Sequence, residues 1–137
     1  KENSDHIEEF RTFFSEIFPN LKLPKGRPYA QIPLGNGFEI GIHVRKSNVS
    51  IFFVSSPRVP SDAVLEWLQE KSLVGKKMSN GIVFDPKPGK RNPNIIRAEL
   101  NIAIEGIEDL GTSNLRSVVI SLLNDLTRDV GQIAEDF

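Results

Sequence analysis

Residues 36–56 constrain the fold more than any other stretch. Phe38, Ile40, Ile42 and Val44 alternate with Glu39, Gly41, His43 and Arg45, the period of two that a strand with one buried and one wetted side produces. Val49 to Val54 is nearly all apolar, as a strand covered on both faces would be. Arg45-Lys46-Ser47-Asn48 between them reads as a hairpin turn. This signal concerns architecture and carries no recognisable chemistry.

The flanking segments supply the rest of an α+β layer. Asp5 can cap a helix start with Glu8 three residues on, and Ile7, Phe10, Phe14 and Ile17 then fall at helical spacing before Pro19. The aromatic stripe reads as core rather than a stacking site. Leu21 to Pro28 is an irregular, positively charged connector. Tyr29 to Leu34 is a short strand that Pro33 restricts to an edge or a bulge. The Gly-x-Gly at Gly35 and Gly37 lacks the following helix, third glycine and lysine of a phosphate-cradling loop.

Ser61 is expected to cap a helix carrying Val64, Leu65, Trp67, Leu68 and Leu73, with Trp67 anchoring it on the sheet. Gly81 to Phe84 reads as a strand. Asp85 to Asn94, with three prolines and three bases, reads as an exposed loop without regular structure. Ile95 to Glu105 alternates most cleanly of all, with Ile96, Ala98, Leu100, Ile102 and Ile104 on one side. Thr112 or Ser113 caps a last helix whose apolar stripe is Leu115, Val118, Val119, Leu122, Leu123, Leu126, Val130 and Ile133. That stripe fits either the domain's own sheet or a dimer face. The expectation is a mostly antiparallel five-stranded sheet with three helices, in the order α-β-β-β-α-β-β-α.

A chain of 137 residues with 39% apolar content fits one domain. The sequence opens on Lys1, which suggests a domain cut from or appended to a longer protein. No apolar run approaches the roughly 18 residues that a membrane span needs, so no membrane partner is expected. Cysteine is absent, which removes disulfides and thiolate metal sites and fits a cytoplasmic protein. With only His6 and His43 present, neither a histidine zinc site nor a two-histidine acid–base pair is expected, and no cofactor is implied.

Charge is unevenly spread. Residues 1–21 hold two bases against five acids, residues 22–97 thirteen bases against five acids, and residues 98–137 two bases against eight acids. A folded surface polarised in this way would draw a polyanion to one side. Lys25, Arg27, Arg45, Lys46, Lys87, Lys90 and Arg91 are the candidate phosphate contacts for DNA or RNA, with affinity falling steeply as salt rises. The competing expectation is neutralisation of these bases by acids from the terminal segments.

Catalytic patterns are sparse. Asp85 after one strand and Glu99 in the next have the placement of two carboxylates that hold a divalent ion near a phosphate. The companion lysine two residues after the second acid is replaced by Asn101, so the constellation is incomplete. No Ser, His and Asp arrangement suggests an activated nucleophile. The reading is of a domain without catalytic residues of its own.

The run through Phe10, Pro24, Arg27-Pro28, Leu34-Gly35-Asn36-Gly37-Phe38, the hairpin, the helix from Ser61 and Arg97 in a late strand resembles a small domain of unknown function. That domain occurs alone or C-terminal to restriction-endonuclease-like domains. The resemblance implies an accessory, nuclease-associated module. The element order is also similar to that of type III secretion chaperones, which implies a dimer that binds extended segments of partner proteins.

Overall fold

The computed structural model describes residues 12, 15–16, 29–44, 48–78, 81–103 and 113–137. Three strands open the described core: β1 (Tyr29–Gly35), β2 (Phe38–Val44) and β3 (Asn48–Val54). Helix α1 (Ser61–Glu70) follows, then the short strands β4 (Lys76–Lys77), β5 (Val83–Phe84) and β6 (Lys87–Pro88). The long strand β7 (Ile96–Ala103) leads to helix α2 (Ser113–Val130) and the one-turn helix α3 (Ile133–Asp136). Thr12, Ser15 and Glu16 are helical; the rest of the helix expected over residues 5–18 lies outside the described residues.

The α+β class and the antiparallel five-stranded sheet follow the sequence reading, but one strand differs. Sheet order is β1-β2-β3-β7-β6, antiparallel throughout. Its fifth strand is Lys87–Pro88, from the stretch expected to lack regular structure, whereas Val83–Phe84 pairs with Lys76–Lys77 in a separate ribbon. The reason lies in the loop that follows. Gly89 N–H donates to the Ile95 carbonyl (2.7 Å) and Ile95 N–H to the Asn92 carbonyl (3.1 Å), and this closure folds Lys87 and Pro88 back onto Arg97 and Ile96. Pro88 takes an edge place, where its missing N–H costs no ladder bond. Pro33 does the same in the opposite edge strand, where the register shifts between Pro33 and Gly35.

Pleating sorts each strand into two faces. Ala30, Phe38, Ile40, Ile42, Val49, Ile51, Phe53, Ile96, Ala98, Leu100 and Ile102 are buried on the inner one. They pack with Val64, Trp67 and Leu68 of α1 and with Val119, Leu122, Leu123, Leu126 and Val130 of α2. The apolar stripe of the last helix is thus spent on its own sheet. Phe53 stacks on Phe38 with ring centroids 6.2 Å apart and meets Phe84 at 6.3 Å.

Two helix ends differ from expectation. Ser61 is the first helical residue; the cap position is Pro60, without a side-chain capping bond, and its carbonyl accepts from Ala63 and Val64. Helix α1 stops at Glu70, and Leu73 is buried just beyond it, where its N–H reaches the Leu68 carbonyl (2.9 Å) past Ser72 at φ 58°.

Residues 133–137 tie the sheet to the helices. Ile133 is fully buried and Phe137 stacks on Phe38 at 6.1 Å. The Asn36 amide in the β1–β2 turn donates to the Ala134 carbonyl, and the Trp67 indole N–H donates to Asp136. Trp67 therefore does more than rest on the sheet: it clasps this last turn. A further link joins the β4–β5 ribbon to α2, where Lys76 pairs with Asp129.

Candidate functional site

None of the described helices packs on the opposite face of the sheet. Gln31, Pro33, Arg97, Glu99 and Asn101 point outward from it and are exposed. Pairing registers set them in rows across the strands. One runs Gln31, Gly41, Phe52, Glu99; another runs Pro33, Glu39, Val54, Arg97, Lys87.

Phe52 is the anomaly on this side. It is only 6% exposed although it faces away from the core cluster. Gly41, its cross-strand partner, explains this. A Cβ at Gly41 would lie 2.2 Å from Phe52 Cζ, so the absence of a side chain there lets the ring lie flat across β2. From that position Phe52 stacks on Tyr29 of β1, with centroids 6.0 Å apart and planes at 20°. The Arg97 guanidinium lies over the ring at 4.3 Å from its centroid, a cation–π contact on a nearly dry ring. Tyr29 in turn meets His43 edge-on at 6.2 Å. The expectation that β3 is covered on both faces thus holds, with aromatic and guanidinium groups forming the outer cover.

Polar contacts complete the face. Gln31 donates to both Glu39 carboxylate oxygens at 3.0 Å. Ser50 and Asn48 both donate to Asn101 Oδ1, at 2.7 and 2.9 Å.

Burial raises the Tyr29 phenol above its ordinary value of 10.0, and the negative charge of Glu39 adds to this; a hydrogen bond with Gln31 and the positive charge of Arg97 pull it back. Tyr29 is the only tyrosine, so tyrosinate absorbance reports it alone. Its titration midpoint is expected above 10.0, and Arg97→Gln should move it higher. The neutral phenol is the form favoured by folding. This contribution to stability is whole below the unfolded value and is lost as pH rises toward the folded one.

At the β6 side, this face deepens into a groove of about 660 Å³. Val54, Pro88 and Ile95 give it apolar surface, Lys87, Lys90, Arg91 and Arg97 give cations, and Asp85 and Glu99 give carboxylates. Three of the seven residues expected to contact phosphates, Lys87, Lys90 and Arg91, are therefore brought together. Lys25, Arg27, Arg45 and Lys46 lie outside the described residues. Lys87 pairs with Asp85 at 3.0 Å, with both side chains well exposed. The two carboxylates considered for a metal do line the same groove, yet among the described residues no cluster of three or more metal-ligating side chains occurs.

Arg97, Phe52 and Gly41 were absent from the sequence-derived site. A glycine within an otherwise β-branched and aromatic hairpin was the available signal, because glycine inside a strand often marks the close approach of another group.

Comparison with known proteins gives a fold without a family. No protein-family model matches the sequence, and neither does any curated protein. Among solved structures, the fold is similar to that of YbjN from E. coli, described as a proposed transcription regulator. The TM-score is 0.57 at 8% identity, covering 93% of this chain and 87% of YbjN. The chaperone–effector complex HopA1–SchA gives a TM-score of 0.49 at 13% identity over 90% of this chain and 92% of the other. The Yersinia pestis type III secretion chaperone SycH, solved with a fragment of YscM2, gives 0.40 at 14% identity over 88% and 95%. The last two carry the chaperone description that the element order resembles; these three say nothing of restriction-endonuclease-like domains. Among the described residues, no helix is long and apolar enough to cross a membrane.

Proposed function

We propose that this chain is a non-catalytic binding domain that holds an extended segment of a partner protein in the groove on the outer face of its sheet. The observation that carries this is the lining of the groove beside β6. Its apolar surface at Val54, Pro88 and Ile95 sits among four cations and two carboxylates, which suits a peptide presenting both apolar and charged side chains. A nucleic acid offers a phosphate at every step and needs a run of cations along its track. On this face such a track meets Asp85, Glu99 and Glu39. The mixture of signs favours protein over DNA or RNA.

Selection from a display library of random linear peptides tests the reading. Enriched peptides, titrated into the protein, are expected to shift the amide resonances of residues 85–99 and of Phe52. Enrichment no better than with an unrelated domain, or shifts gathered on α1 and α2, overturns it.

A further inference from the structure

The groove has a fixed cation at its inner wall. Arg97 lies over Phe52, which lies over Gly41 and against Tyr29. A guanidinium whose carbon sits 4.3 Å from a ring centroid makes no hydrogen bond to that ring's carbons, which leaves its N–H fork for a carboxylate to accept in bidentate fashion. Among the described residues Arg97 makes no ion pair, and neither do Lys90 and Arg91 at the rim. Lys87 differs, being paired with Asp85.

The rim is built rather than slack. Gly89 and Ile95 close the loop through backbone bonds, and Asn94 N–H donates to the Asn92 side chain at 3.1 Å. A Cβ at Gly89 would lie 2.8 Å from the Asn92 carbonyl oxygen, so the turn is tight at that point. Lys90 and Arg91 are thereby carried at a set place beside Val54, Pro88 and Ile95.

Resting on the protein-binding reading, we infer that the groove selects an acidic protein segment in which a carboxylate side chain stands two positions from an aliphatic one. In an extended peptide, side chains i and i+2 point the same way. The aliphatic group meets Val54, Pro88 and Ile95, while the carboxylate reaches the edge of Arg97 and further acids meet Lys90 and Arg91. The occupant follows from charge: three cations that make no ion pair among the described residues surround an apolar patch.

The test uses a synthetic peptide with Leu and Glu at alternating pairs of positions, its Gln-for-Glu counterpart, and oligothymidylate, with affinities read by fluorescence anisotropy. The Glu peptide is expected to bind about tenfold more tightly than the Gln peptide, as one charge-assisted contact allows. Arg97→Gln should remove most of that ratio, leaving the part that Lys90 and Arg91 supply, and Arg97→Lys should restore little of what is lost, because lysine lacks the fork. Unchanged amide spectra outside the groove establish that both variants fold. Equal affinity for the two peptides, both mapping to the groove, overturns the acidic selection and leaves protein binding intact. Failure of the Glu peptide to bind also overturns it, with the library selection deciding the wider reading. Tighter binding of oligothymidylate through Lys90, Arg91 and Arg97 overturns both.

Discussion

Deleting Ile133–Phe137 is expected to destabilise the fold by about 4 kcal/mol, a large share of the 5–15 kcal/mol that holds a typical domain together. Ile133 is fully buried in the core cluster, and burial of such a side chain is worth about 1.5–3 kcal/mol. The Phe137–Phe38 stack and the Trp67–Asp136 hydrogen bond add roughly 1 kcal/mol each. Thermal melting should fall by roughly 15 °C. Trp67 is the only tryptophan and is 7% exposed, so its emission should shift to the red in the truncated protein even under conditions where that protein stays folded. Phe137→Ala alone should cost only about 1 kcal/mol, because Phe137 is already 41% exposed.

Gly41→Ala is the second large effect, and it reaches the groove. The added methyl meets the far end of the Phe52 ring rather than backbone, so the ring swings outward and the strand stays. The expected cost is about 2 kcal/mol, set by exposure of an aromatic side chain. Arg97 then loses the ring beneath it. A double-mutant cycle gives the signature: in a Phe52→Ala background, Gly41→Ala should be nearly neutral, since the obstructing ring is gone. Additive losses measured by chemical denaturation would refute this account of the outer face.

The same pair shows where sequence reading ends. Alternation over Phe38–Val44 and Ile96–Ala103 gave the long strands and their inner faces, since period two is a property of neighbours in the chain. Pro33 was likewise informative, because a missing N–H is local. Lys87–Pro88 was not legible: a lysine and a proline alone show no period, and their pairing depends on the hydrogen-bonded closure between Gly89 and Ile95. Arg97 and Phe52 lie 45 residues apart, and no pattern joins them before β7 docks against β3. The basic residues of the middle segment were easy to count. Their grouping was not: composition left a polarised surface and neutralisation by acids both open, and the structure sets Lys87, Lys90 and Arg91 in one groove with Asp85 and Glu99.

Strand order also bears on how the molecule assembles in time. Strands β1, β2 and β3 are neighbours in both sequence and space, so their meander can form through short loop closures. The β3–β7 seam requires the chain to pass through α1 and the β4–β5 ribbon first, and such distant pairing is the slow kind. Until that seam zips, the guanidinium and its aromatic support belong to separate pieces. Mutations along β2 and β3 should therefore slow refolding, while those in β6 and the tight loop after it should mainly hasten unfolding.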